Sequence, residues 1–165
     1  MKPTLITGMS GVGKTSVVDE LRRRGFQCID MDEPGWSFMD VDGHQHWNVD
    51  RLTRALTDAG DEGLFVSGCT EEQVDLYDRF GAVVLLSAPR DVMKKRIRSR
   101  SGNSFGQTPA EMARILEDLA EVEPLLRERC THEIKTTVPV KEVVDLVLKF
   151  TCPTSPCTRR RARRA

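Results

Sequence analysis

Apolar residues along the chain fall into two alternating kinds of segment. Short runs bounded by turn or cap residues occupy Thr4–Thr7, Phe26–Asp30, Gly63–Ser67, Ala82–Ser87 and His132–Thr136, and are expected to be five strands. Between them, apolar positions recur at helical spacing. Val17, Val18 and Leu21 share one face of a helix that Gly25 can end, and Val49, Leu52, Leu56 and Ala59 form a second stripe stopped by Gly60. Thr70 followed by Gln73 fits a capping box; Thr108, Pro109 and Glu111 fit it better, with proline at the first helical position. The latter opens a long helix with the stripe Met112, Ile115, Leu116, Leu119 and Val122, which Pro124 is expected to kink or break. A last helix, Val140–Leu148, sets Val140, Val143, Val144 and Val147 on one side. Strands alternating with helices predict an α/β fold, a five-stranded parallel sheet with helices on both faces.

Composition adds little to the fold but partitions the chain. At 165 residues and 39% hydrophobic, one domain buries a core without covalent staples. Cys28, Cys69, Cys130, Cys152 and Cys157 are odd in number and lack CxxC spacing, which suits a reducing compartment and argues against zinc. No apolar run approaches the roughly 20 residues of a membrane span, and a cytoplasmic location is expected. The 25 basic residues balance the 25 acidic ones, but Arg159, Arg160, Arg161, Arg163 and Arg164 lie in the last fifteen positions with no acid beside them. Residues 1–150 are therefore an acidic domain, and 151–165, with almost nothing to bury, an expected disordered basic tail.

The strongest chemical signal is Gly8-Met9-Ser10-Gly11-Val12-Gly13-Lys14-Thr15, a full GxxxxGK[ST] match between a predicted strand and a predicted helix. Glycines let a backbone turn closely around phosphate oxygens, and the helix that follows points its positive end at the same anion. Ser10, Val12 and Ser16 extend this cradle. Lys14 is expected to reach the β- and γ-phosphates, and the Thr15 hydroxyl to ligate Mg²⁺. The second strand ends in Asp30-Met31-Asp32, two carboxylates on one side of the strand at the edge where open α/β sheets bind ligands.

These residues resemble those of shikimate kinase and its relatives, the gluconate and nucleoside monophosphate kinases, over nearly all of residues 3–150. The resemblance implies a P-loop NTPase fold with a small lid, ATP as phosphoryl donor and Mg²⁺ as cofactor. It implies that Asp30 serves Mg²⁺ and that Asp32 contacts the acceptor hydroxyl and takes its proton. Ser67-Gly68-Cys69 stands where shikimate kinases carry a glycine triplet against their substrate; only Gly68 is retained. Lys94, Lys95, Arg96, Arg98 and Arg100 precede a glycine-containing stretch, so residues 98–108 read as the lid, with Arg96 and Arg100 over the phosphates. Thr136 to Pro139 falls where this family packs the adenine ring.

Residues 33–60 occupy the segment that covers the acceptor in these kinases. Asp42-Gly43 is a hairpin signal, so Trp36–Met39 and Gln45–Trp47 are expected to pair as a ribbon supplying aromatic walls to a small-molecule pocket. His44-x-His46 lacks a third ligand at metal-site spacing. Arg51 lies about where shikimate kinases bind the substrate carboxylate, but the family's other substrate arginine has no counterpart near Pro124. A neutral or cationic hydroxyl-bearing acceptor fits better than shikimate. The expected protein is a monomeric or homodimeric small-molecule kinase. The alternatives are a nucleoside monophosphate or polynucleotide-end kinase, and a non-catalytic nucleotide-dependent regulatory module whose tail touches nucleic acid.

Overall fold

The computed structural model describes residues 1–59, 63–99 and 106–151. In chain order these form β1 (Thr4–Thr7), α1 (Lys14–Arg23), β2 (Cys28–Asp30), β3 (Ser37–Met39), β4 (Gln45–Trp47), α2 (Val49–Asp58), β5 (Phe65–Ser67), α3 (Gln73–Leu76), β6 (Ala82–Ser87), α4 (Arg90–Ser99), α5 (Pro109–Arg129), β7 (His132–Lys135) and α6 (Val140–Thr151). A short 3₁₀ turn, Tyr77–Arg79, extends α3.

Five strands make one parallel sheet in the order β2-β5-β1-β6-β7. All residues of β1, β5 and β6 are buried, as a parallel sheet covered on both faces requires. Alternation sorts the side chains into two cores. Ile6, Phe65, Val84 and Leu86 pack with Val17 and Leu21 of α1 and Val143, Val144 and Val147 of α6. On the other face Leu5, Ile29, Val66 and Val83 pack with Leu52 and Leu56 of α2 and Leu76 of α3. Arg24, just past α1, joins Glu20 to Asp145, clamping α1 to α6.

The remaining two strands are the expected ribbon. Ser37, Phe38 and Met39 face Trp47, His46 and Gln45 in antiparallel register, and Asp40 N–H bonds to the His44 carbonyl beside the turn. Trp47 is 3% exposed and sits in the second core, so the ribbon is plugged into the body.

Several boundaries differ from expectation for identifiable reasons. Phe26 and Gly63 precede the paired residues of β2 and β5, and Thr136 follows those of β7. The capping box at Thr70 does not form: the cap position of α3 is Glu72, with no side-chain cap bond. Gln73 instead turns inward, 3% exposed, to accept the Thr7 hydroxyl at 2.8 Å. Pro124 neither ends nor breaks α5, which runs on to Arg129. Both Pro124 and Ala120, whose carbonyl the missing N–H would have met, are exposed, so water can take that carbonyl. The helix α6 continues to Thr151, three residues beyond the expected end. Gly60, Arg100, residues 101–105 of the expected lid and the tail after Thr151 lie outside the described residues.

The capping box at Thr108 does form, with Thr108 Oγ1 accepting from Glu111 N–H and Glu111 accepting from Thr108 N–H. Replacing Thr108 by Ala is expected to lower the unfolding free energy by about 1 kcal/mol, the usual worth of such a cap. Urea unfolding with an unchanged m-value checks this.

Candidate active site

The loop between β1 and α1 owes its path to a lack of side-chain room. Thr7 pairs with Leu85, and the chain then turns at Gly8 with φ 145°. A Cβ on Gly8 would lie 2.3 Å from the Leu86 carbonyl oxygen, closer than any real contact. The loop thus lies directly against the end of β6. The cap residue of α1 is Gly13, which offers no side-chain cap bond, and the first turn carries no acid. The opening N–H groups and positive helix end are left for an external anion. Lys14 Nζ, at the same end, donates to the carbonyls of Gly8 at 2.7 Å and Met9 at 3.3 Å.

A second clamp holds the far rim of the loop. Thr136, buried just after β7, donates its hydroxyl to the Val12 carbonyl at 2.7 Å. The guanidinium of Arg96, from α4, donates to the Val12 carbonyl at 3.2 Å and to Thr136 Oγ1 at 2.8 Å. Loop, α4 and the β7 exit therefore form one bonded unit.

Asp30 and Asp32 face this loop from the end of β2. Asp30 is 4% exposed, and burial raises its pKa above 3.8, with the charge of Asp32 adding to the rise and Lys14 opposing it. Asp30 Oδ1 accepts the Asp32 backbone N–H at 3.2 Å. Its neighbour across the ladder, Ser67, has a buried hydroxyl with no hydrogen-bond partner among the described residues. Asp32 is exposed, and its Oδ1 accepts from Gln45 Nε2 of the ribbon at 2.9 Å.

One open cleft of about 960 Å³ is lined by Ser10, Gly11, Val12, Gly13, Lys14, Thr15, Ser16, Asp30, Asp32 and Arg96. Its remaining wall includes Arg22 and Glu33, paired at 2.6 Å, and the apolar group Val138, Val140 and Val143. Pro139, expected beside the base, is exposed and does not line the cleft; its carbonyl accepts from Glu142 and Val143 as α6 begins. The basic cluster divides. Arg96 turns into the cleft, whereas Lys94, Lys95 and Arg98 line a separate depression of about 510 Å³ that shares only Ser99 with it.

The other acceptor-side candidates lie outside that cleft. Trp36 carries the Arg51 guanidinium 4.0 Å above its ring centroid. Gly68 is covered from within: a Cβ there would come 2.7 Å from the Trp47 indole and 2.9 Å from Met31 Cβ. Cys69 is half-buried, and its sulfur accepts from Gln73 Nε2 at 3.7 Å. His46 is not half of a metal pair, since Asp40 and Glu72 take its two ring nitrogens. Gln45 was expected only as a ribbon residue and Thr136 only in the segment against the adenine ring; the bonds of Gln45 to Asp32 and of Thr136 to Val12 are further contributions. Both act through contacts distant in sequence that leave no local pattern.

The AAA domain family profile matches residues 5–117, which include the loop, both aspartates and Arg96. The chain belongs to the AAA domain family. No curated protein matches the AAA domain chain. Among solved structures it is similar to a shikimate kinase from Acinetobacter baumannii in complex with shikimate, with TM-score 0.62, 16% identity, and 91% of this chain and 92% of that one covered. It is also similar to a gluconokinase from Sinorhizobium meliloti 1021, with TM-score 0.53, 19% identity, and 92% and 91% covered. A deoxyadenosine kinase from M. mycoides with bound dATP gives TM-score 0.55 at 14% identity, with 90% and 98% covered. The five-stranded P-loop kinase fold is thereby shown. Among the described residues, no helix is long and apolar enough to cross a membrane.

Burial of Asp30 carries a measurable cost. A raised folded pKa means that the carboxylate disfavours folding above that pKa, and that the penalty disappears as pH falls to the ordinary value of 3.8. Asp30→Asn keeps an oxygen for the Asp32 N–H and removes the charge. It is expected to raise the thermal midpoint of the ligand-free protein at neutral pH, with the gain vanishing below about pH 4. Scanning calorimetry across that range checks it.

Proposed function

We propose that the chain is an ATP- and Mg²⁺-dependent kinase that transfers the γ-phosphoryl group to a hydroxyl of a small metabolite or natural product. The observation that carries this reading is the convergence of the complete phosphate loop with Asp30 and Asp32 in one cleft.

The oxygen donors at the loop mouth suit a hard divalent cation. Thr15 Oγ1 and the Asp30 carboxylate would hold Mg²⁺, which when bound neutralises phosphate charge. The buried Asp30 carboxylate and the unpartnered Ser67 hydroxyl support this donor set. The uncapped start of α1 and the backbone of Gly8 to Gly13 bind the phosphates, with Ser10, Ser16 and Lys14 around them. Lys14 keeps its protons and redirects its N–H donors from the Gly8 and Met9 carbonyls to the anion. Arg96 adds positive charge at the rim, and the base lies towards Val138.

On the opposite side Asp32 accepts the proton of the acceptor hydroxyl. The acceptor oxygen bonds to the γ-phosphorus as the bond to the β–γ bridging oxygen breaks, and ADP leaves. Trp36 with its stacked Arg51 forms the outer wall of the acceptor space and Cys69 its back, next to Gly68, which Trp47 covers.

A panel of hydroxyl metabolites and antibiotics incubated with ATP and Mg²⁺ should yield a phosphorylated product. Tight ATP binding with no product across the panel counts against the kinase reading. With the acceptor so found, Asp32→Asn should lower kcat by roughly 10²- to 10⁴-fold at unchanged ATP affinity. Unchanged turnover removes Asp32 from the role of base.

A further inference from the structure

The strand β4 fastens the ribbon at three successive residues. Gln45 Nε2 donates to Asp32 Oδ1 at 2.9 Å and to Ser37 Oγ at 2.9 Å. Trp47 plugs the second core against Gly68 and Met31. Between them His46 points the other way, its Nδ1 on Glu72 and its Nε2 on Asp40 at 3.0 Å. Glu72 belongs to the segment ahead of α3, 26 residues further along the chain, so this contact ties the ribbon to the main body.

Two carboxylates can be satisfied by one imidazole only when both ring nitrogens carry protons. Asp40 has little other freedom, because its Oδ1 accepts the N–H groups of Asp42 and His44. The charged and titratable groups around His46 are Glu72 from the segment before α3, and Asp40 with His44 and Asp42 from the hairpin turn. From β3 only the uncharged Phe38 ring meets it, at 5.7 Å between centroids.

We propose that His46 is a proton-dependent latch and Gln45 a positioning residue. The doubly protonated imidazole clasps Asp40 and Glu72, which keeps β4 seated and so holds Gln45 on the carboxylate of Asp32. The link to catalysis rests on the reading of Asp32 as acceptor base; the latch itself does not. Glu72 first and Asp40 second raise the His46 pKa above 6.5. The clasp is then complete below pH 6.5 and lost as pH rises through the raised value. A neutral imidazole leaves one carboxylate without a donor and two like charges facing each other, which loosens the ribbon and releases Asp32.

The chain has two tryptophans, Trp36 and Trp47, beside and within the ribbon, so tryptophan emission, excited selectively over Tyr77, reports on it. In the full chain without ligand, titrated from about pH 5.5 to about pH 9, the emission should shift to the red in one step. Its midpoint should lie above 6.5, with unchanged far-ultraviolet circular dichroism. Glu72→Gln should lower that midpoint, and His46→Gln should abolish the step while still binding ATP. The protection of the Asn48 amide, whose N–H bonds to the Trp36 carbonyl, should fall across the same step in the wild type only, once the intrinsic rise of exchange with pH is divided out. A flat wild-type titration, or the same step in His46→Gln, overturns the proposal. Because neither readout needs an acceptor, failure of the latch and failure of the kinase reading are separable.

Discussion

The close approach of Gly8 to the end of β6 governs the rest of the binding edge. With the Leu86 carbonyl 2.3 Å from where a Cβ would stand, the backbone must leave β1 along one path. That path presents the start of α1 uncapped to the cleft and gives Lys14 the loop carbonyls as its resting partners. Thr136 and Arg96 then fix the far rim through Val12. Phosphate recognition is thus a property of backbone held against backbone, with side chains added at two points.

Much of this was legible in the chain because the physics is local. Strands buried on both faces must be continuously apolar, so β1, β5 and β6 stand out as runs. The phosphate loop and the Thr108 cap are fixed by residues at most seven positions apart. Misreadings occurred where tertiary contacts overrode local chemistry. Gln73 matches a capping box but turns inward, where a buried amide can meet Thr7. Pro124 reads as a helix breaker, yet it and Ala120, whose carbonyl it leaves without a donor, are both exposed. The expected arginine cluster separates because adjacent positions on a helix point in different directions, leaving Arg96 in the cleft and Lys95 outside it.

The ribbon of β3 and β4 shows the opposite balance. The ribbon was visible from its turn signal and alternating aromatics, but its purpose lies in partners 13 to 26 residues distant: Gln45 with Asp32, and His46 with Glu72. Trp47 looks from sequence like a pocket wall and is instead the plug that seats the ribbon. Retention of Gly68 has the same cause, since the indole needs the space that a side chain would fill.

The contact between Val12 and Thr136 spans 124 positions, and this sets an order of events during synthesis. The phosphate loop is synthesised before its seat on Leu86 and its clasp from Thr136. Until β6 has emerged, the glycine-rich turn has no wall to lie against, and until Thr136 follows β7 it has no clasp; its closure carries the entropy of a long loop. A chain that holds the whole motif but stops short of β7 accordingly lacks the bond that fixes the loop rim at Val12.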